Sequence, residues 1–153
     1  MNWSAQFQKA NIPLKTLDIG WIEDSRRGRL LDFRVSGRSL FREIRKRGFD
    51  RLPRTTSNPN LPALDVETLE MLLLEGVGDT PSGRVALYLC PCGDLGCGAV
   101  SVRIQRDGGD IVWDDFVWEV DYEDEVLPLE GLGPFRFRED EYRKSVQNAA
   151  ERR

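Results

Sequence analysis

The sequence contains no histidine among its 153 residues, and it has only three cysteines and two methionines. Histidine is the usual general base near neutral pH and the most common neutral metal ligand, so its absence removes both kinds of chemistry in their usual form. No apolar run reaches signal-peptide length or the ~18 residues of a transmembrane helix. We therefore expect a cytoplasmic protein with no membrane partner and with reduced cysteines.

Length and composition predict one globular domain over residues 1–153, because 40% of the residues are apolar and 31% are charged. The net charge is only −4, but it is unevenly distributed. Residues 25–54 include eleven basic and three acidic residues, whereas residues 107–130 include ten acidic and no basic ones. The chain is thus electrostatically divided along its sequence.

The first half of the chain predicts a hairpin followed by two helices. Alternating segments at residues 14–23 and 29–36 are typical of strands, and "DSRRG" between them supplies turn residues. Residues 39–48 predict a short basic helix, and residues 65–76 predict a second helix with a leucine stripe. Between the helices, residues 52–62 hold three prolines and predict an irregular surface loop.

The second half predicts a three-stranded meander and a final helix. "RVALYLCPC" and "CGAVSVRIQ" read as paired strands, and a register with Leu89 opposite Val100 places the large aliphatic side chains on one face. "IVWDDFVWEV" predicts the third strand, in which the doublet Asp114–Asp115 interrupts the apolar pattern and indicates a bulge. "LEGLGPFRF" predicts an aromatic connection that packs Phe135 and Phe137, and residues 138–153 predict the final helix.

The fold class expected from these segments is α+β. It consists of an antiparallel sheet of about five strands, made of the N-terminal hairpin and the C-terminal meander, with two intervening helices and a C-terminal helix.

The three cysteines fall within the stretch "LCPCGDLGCG" and leave three interpretations open. Thiolates are good zinc ligands, but Cys90, Cys92 and Cys97 are one short of the usual four, so Asp94 or another oxygen would complete the site. A thiol redox role needs a nearby cation to lower the thiol pKa, and Arg103 is the only candidate. The third interpretation is structural: the cysteines pack as small apolar side chains, and the glycines allow a tight turn.

Four segments together resemble a group of small uncharacterised bacterial proteins. They are "GRLLDFRVSG", "GRVALYLCPCGDLGCGAVSVRI", "IVWDDF" and "GLGPFRF", in that order. The group has a cysteine-rich CGDxGCG hairpin loop and a following V-W-x-D-F-like strand. Its members tend to have two residues between the first two cysteines, where this chain has only Pro91. The resemblance implies no substrate.

No catalytic constellation is visible in the sequence. It has no nucleophile elbow, phosphate-binding loop or dinucleotide fingerprint, so we expect no enzymatic activity. A basic run in and after the predicted first helix could contact phosphates, and it consists of Arg42, Arg45, Lys46, Arg47, Arg51 and Arg54. Because no aromatic residues interleave them, we favour a solvated helix face over nucleic-acid binding.

The acidic stretch is compatible with two interpretations. It could be a solvated edge strand whose charge discourages aggregation. Alternatively, aromatic anchors within an acidic field could bind a basic partner. The predicted partner-binding residues are Trp113, Asp114, Asp115, Phe116, Trp118, Glu119, Asp121, Tyr122 and Glu123. We accordingly predict a protein-binding module, most concretely an immunity protein that neutralises a basic cognate toxin without a cofactor. The alternative is a zinc- or thiol-dependent protein acting through its cysteines.

Overall fold

The structure is a computed structural model that describes residues 11–24, 28–47, 61–62, 66–76, 78, 80, 82–89, 98–120, 122 and 126–151. These residues form ten strands and three helices. The strands are β1 (Leu14–Lys15), β2 (Leu17–Asp24), β3 (Gly28–Val35), β4 (Arg38–Ser39), β5 (Leu61–Pro62), β6 (Val85–Leu89), β7 (Ala99–Asp107), β8 (Asp110–Glu119), β9 (Leu127–Pro128) and β10 (Phe135–Arg138). The helices are α1 (Leu40–Lys46), α2 (Val66–Leu72) and α3 (Glu139–Glu151). None of these helices is long and apolar enough to cross a membrane.

The strands form two sheets rather than one. The main sheet has the order β1-β10-β8-β7-β6-β5, with β9 beside the other end of β8. The hairpin β2–β3 and the short β4 form a separate sheet. The predicted α+β class is confirmed, but the purely antiparallel sheet is wrong. The chain before the hairpin runs beside β10 in the parallel direction, so the main sheet is mixed.

Several elements lie where local features of the sequence predicted them. Strands β2 and β3 pair along their whole length, from Leu17 opposite Val35 to Asp24 opposite Gly28. Helix α1 begins after Ser39, whose Oγ accepts a hydrogen bond from the Arg42 backbone N–H at 3.1 Å. The last two residues of the predicted loop 52–62 form a strand instead, because Leu61 and Pro62 make up β5 and pair with β6. Residues 52–60 lie outside the described residues.

The predicted register of β6 and β7 is wrong. Val85 pairs with Val102 and Tyr88 with Val100, with a bulge between Ala86 and Tyr88. The predicted register was chosen because it places the large aliphatic side chains on a single face. In the structure Leu87 and Tyr88 are neighbours in the strand, and both are fully buried. When both faces of a sheet are covered, alternation does not decide the register.

The bulge predicted in β8 is confirmed. Ser101 pairs with Val117 and Arg103 with Asp114, so two residues of β8 lie opposite the single residue between them on β7. Asp115 has a positive φ of 54° at this point. The extra residue keeps the core side chains before and after the bulge on one face, and these are Ile111, Trp113, Phe116, Trp118 and Val120.

The predicted aromatic connection near the C-terminus is in fact strand β10. Its residues pair with β8 from Phe135 opposite Trp113 to Arg138 opposite Asp110. Phe137 is buried as expected, and Phe135 is partly buried. The Arg136 side chain bonds Asp107 at 2.6 Å and Asp110 at 2.7 Å, which ties β10 to the β7–β8 turn. Burial acts to lower the pKa of Arg136, but the two carboxylates raise it above its ordinary value.

The core joins both sheets and the helices. Phe33 of β3 makes edge-to-face contacts with Tyr88 of β6 and Trp113 of β8, each at 5.9 Å between ring centroids. Helix α3 packs against β2 and α2. Its Tyr142 hydroxyl donates to the Leu72 carbonyl oxygen at 2.6 Å. The described part of the hairpin sheet is therefore fastened to the main sheet through apolar contacts.

Candidate functional site

Four of the nine predicted partner-binding residues are buried. Trp113 is fully buried and Phe116, Trp118 and Glu119 are 3%, 9% and 2% exposed. The three aromatic rings face the core, whereas Asp114 and Asp115 face away from it. Of the predicted aromatic anchors, Trp113 and Trp118 are therefore core residues in the described structure, whereas Phe116 is buried at the base of a cleft that Asp114 and Asp115 also line.

The buried Glu119 carboxylate is held by hydrogen bonds from two serines of the protein. Its Oε2 accepts hydrogen bonds from the Ser82 hydroxyl at 2.8 Å and from the Ser101 hydroxyl, which is buried beside it. These bonds tie the segment before β6 to strands β7 and β8. Glu119 is thus not available to a partner in this arrangement.

The exposed members of the predicted set are Asp115 and Tyr122, and Asp114 is half-buried. Tyr122 is 58% exposed. Asp121 and Glu123 lie outside the described residues, so their part of the prediction stays untested. Asp114 and Asp115 both line a cleft of about 520 Å³, which we call the bulge cleft.

The bulge cleft has an apolar floor and a charged rim. Phe116, Leu129 and Leu132 are buried side chains in its lining, and Pro128 and Pro134 continue the apolar surface. Its charged residues are Arg103, Asp114, Asp115 and Glu130. Three carboxylates and one guanidinium leave the cleft with an excess of negative charge.

The segment around residues 128–134 was missed as part of a site. It follows β8 by about ten residues and returns to it, because Leu129 donates its backbone N–H to the Phe116 carbonyl oxygen at 2.9 Å. The acidic residue Glu130 is exposed at the rim. The Gly/Pro-rich composition of "LEGLGPF" was the available signal, but composition alone does not indicate where such a segment folds back.

Two arginines of the protein already contact Asp115. Arg103 forms an ion pair with its Oδ2 at 2.9 Å, and the Arg84 Nε donates to its backbone carbonyl oxygen at 3.0 Å. The Arg84 side chain is 13% exposed and fixes the bulge, while the Arg103 side chain is 48% exposed and lies at the cleft. The Asp115 carboxylate therefore already binds a guanidinium at the cleft, that of Arg103.

The backbone of Asp115 yields a prediction on stability. A φ of 54° is tolerated by aspartate and glycine but strongly disfavours a β-branched side chain. We expect Asp115→Val to lower the free energy of unfolding by about 2 kcal/mol, and Asp115→Gly to change it by less than about 1 kcal/mol. Urea unfolding of both variants measures this. Equal losses for the two variants would show that the lost ion pair, and not the backbone, is responsible.

The cysteine loop lies outside the described part of the chain. Cys90, Cys92, Cys97 and Asp94 all lie outside the described residues, so the zinc and thiol alternatives stay predictions. Within the described ranges no three acidic or thiol side chains converge as a metal-binding group. Gly98, which follows the loop, has a φ of 105°, and a Cβ there would lie 2.6 Å from the Trp118 indole nitrogen. This glycine is accounted for by packing and backbone conformation.

The basic helix α1 has several of its cations engaged within the protein. Arg42 donates to the Glu23 carbonyl oxygen at 2.5 Å, and the Arg45 guanidinium lies 5.4 Å from the Phe41 ring centroid. Arg47 pairs with Glu43 at 3.0 Å. Arg51 and Arg54 of the predicted basic run lie outside the described residues. The contacts of Arg42 and Arg45 agree with a helix face whose cations are engaged within the chain.

Comparison with known proteins found no matching family model, no matching curated protein and no matching solved structure. The resemblance to small bacterial proteins with a CGDxGCG loop therefore remains a prediction.

Proposed function

We propose that the protein is a non-enzymatic binding module that holds a basic side chain of a partner protein in the bulge cleft. The observation that carries this proposal is the combination of an apolar floor with an acidic rim in one cleft. Lysine and arginine have the complementary construction, since a hydrocarbon stem carries a cationic end group. The stem would lie on Leu129 and Leu132, and the cation would lie between the rim carboxylates.

The ion pair between Arg103 and Asp115 supports this orientation. A guanidinium of the chain itself approaches the Asp115 carboxylate to 2.9 Å from the rim. A partner cation entering the cleft would compete with Arg103 for Asp115, or would use Asp114 and Glu130 beside it. Arg103 therefore opposes binding electrostatically, whereas the three carboxylates favour it.

The more specific form of the proposal is an immunity protein whose acidic cleft occupies the basic active-site region of a cognate toxin in the cytoplasm. Electrostatic complementarity of this kind speeds association and suppresses binding of the wrong partners.

Charge variants with opposite expected effects test the proposal. The probes are the blocked tripeptides Gly-Arg-Gly and Gly-citrulline-Gly, which differ in charge but hardly in shape. We expect the Arg peptide to bind and the citrulline peptide to bind more weakly. Asp114→Asn with Glu130→Gln should weaken Arg-peptide binding about tenfold, because each rim charge contributes up to about 1 kcal/mol. Arg103→Gln should strengthen it. Calorimetry or NMR titration measures the dissociation constants.

The matched control is Glu67→Gln with Glu70→Gln on α2. Both side chains are exposed and lie outside the cleft lining, and this variant changes the net charge by the same amount. Equal weakening by the control and by the rim variant would mean that binding follows net charge alone, which would refute the cleft as the site. So would equal affinity for the Arg and citrulline peptides.

A further inference from the structure

A second cleft, of about 510 Å³, lies on the other side of residues 131–134 and has the opposite charge. Its charged residues are Lys15, Arg38, Arg47 and Glu43. We call it the basic cleft. The two clefts share Gly131, Leu132 and Pro134 in their walls. The proposed binding of a basic partner makes no use of this second cleft.

Arg47 is held in place at the basic cleft. Its Nη1 bonds Glu43 Oε2 at 3.0 Å, and its Nε donates to the Gly131 carbonyl oxygen at 3.3 Å. These two contacts fix the guanidinium plane and leave its remaining N–H groups for another acceptor. A guanidinium that is anchored in this way loses little conformational entropy on binding an anion.

The other two cations are only weakly compensated. Arg38 follows the tight turn of Ser36 and Gly37, which have φ values of 48° and 83°, and its Nη1 is 3.9 Å from Glu43 Oε1. Its side chain is 78% exposed. Among the described residues Lys15 has no ion-pair partner, and it is half-buried on β1. One carboxylate thus faces three cations.

The floor of the basic cleft is apolar. Leu40 and Leu132 are buried side chains within the lining, and Val35, Phe135 and Pro134 extend the same surface. A volume of about 510 Å³ lies within the range of small-molecule sites, which are largely apolar with a few convergent polar groups. A simple counter-ion would satisfy the cations but would not cover this floor.

We propose that the basic cleft binds a small organic anion, in which a carboxylate or phosphate monoester is carried on an apolar body. The anionic group would lie between Lys15, Arg38 and Arg47, where an arginine can bond it with two parallel N–H groups. The apolar body would lie on Leu40, Leu132 and Phe135. A single strand of nucleic acid fits less well, because Arg42 and Arg45 of α1 are engaged in contacts within the protein.

Four probes test this proposal on the full chain by ¹H–¹⁵N NMR titration: 3-phenylpropionate, phenyl phosphate, acetate and inorganic phosphate. We expect saturable shifts of amides at residues 15, 35–38, 43, 47 and 131–135 with the two phenyl anions. Acetate and inorganic phosphate should bind at least tenfold more weakly, because they lack the apolar body. Tighter binding of phenyl phosphate identifies the phosphate-ester class, and tighter binding of phenylpropionate identifies the carboxylate class.

Lys15→Gln with Arg38→Gln should weaken binding of the phenyl anions about tenfold or more. Lys46→Gln with Lys144→Gln is the matched control, because both lysines are exposed and outside the cleft and the net charge changes equally. No saturable shift with either phenyl anion would overturn the proposal. Equal weakening by the two double variants, or equal affinity for phenyl phosphate and inorganic phosphate, would also overturn it.

Discussion

Replacing Trp113 with alanine is expected to lower the free energy of unfolding by about 4 kcal/mol. The indole is fully buried and is surrounded by the rings of Phe33, Phe116, Phe137 and Tyr142, with centroid distances from 5.4 to 6.4 Å. Its Nε1–H also donates to the Tyr142 hydroxyl at 3.2 Å. Alanine removes the ring contacts of both sheets and of α3 together.

Thermal and urea unfolding measure this effect, and we expect a fall in the melting temperature of about 10 °C. The matched control is Trp21→Ala, because Trp21 is 43% exposed and its loss should reduce stability by less than about 1 kcal/mol. A Trp113→Ala variant as stable as Trp21→Ala would contradict the core position of Trp113.

Replacing Asp32 with alanine is expected to lower the free energy of unfolding by about 3 kcal/mol. This carboxylate is buried on β3 and joins three elements. Oδ2 accepts from the Ser39 hydroxyl at 2.6 Å and from the Phe41 N–H at 3.4 Å, and Oδ1 accepts from the Tyr88 hydroxyl at 2.5 Å. Alanine would leave the buried Tyr88 hydroxyl without its acceptor and would detach the start of α1 from the main sheet.

Two variants control for the Asp32 prediction. Asp18→Ala removes a carboxylate of the same hairpin whose side chain is 57% exposed and lies 3.8 Å from Arg34, so its effect should be below about 1 kcal/mol. Asp32→Asn keeps an acceptor for Tyr88 and should lose much less stability than Asp32→Ala. Urea unfolding compares all three. If Asp32→Ala were no less stable than Asp18→Ala, the buried network would not fasten the sheets.

The Asp32 carboxyl also gives a pH dependence. Burial raises its pKa above the ordinary value of 3.8, although the hydrogen bonds from Ser39 and Tyr88 act to lower it. A raised pKa in the folded state means that the folded protein binds the proton more tightly than the unfolded chain. The stabilisation that comes from the protonated Asp32 carboxyl is fully present below pH 3.8, and it is lost as the pH rises through the raised pKa. Asp32→Asn should therefore gain stability relative to the natural protein as the pH increases from 3.8.

Strand β8 shows what the sequence could and could not predict. The doublet Asp114–Asp115 correctly indicated a bulge, because two polar residues interrupt an apolar strand. The doublet alone did not indicate which side chains after the bulge would face the core. Once one residue is inserted at Asp115, the alternation resumes in the opposite phase, so that Phe116 and Trp118 join Trp113 in the core. The burial of these three aromatic rings follows from this phase change.

Non-local contacts account for the other differences. Helix α1 was predictable because its cap and apolar stripe are local signals, whereas the parallel pairing of β1 with β10 joins residues more than 100 positions apart. The bulge cleft has the same origin, since Glu130 and Leu132 reach Asp115 only after the chain folds back past β8. The periodicity of a sequence indicates local secondary structure, and it does not indicate which distant segments come into contact.

An NMR map of the Gly-Arg-Gly peptide on the full chain tests whether the bulge cleft binds a basic side chain. We expect saturable shifts of backbone amides at residues 103, 114–116 and 129–132, which are lost in Asp114→Asn with Glu130→Gln and retained in Glu67→Gln with Glu70→Gln. Shifts that spread over the acidic residues of α2 and α3, or that are the same in both double variants, would contradict a binding site in the bulge cleft.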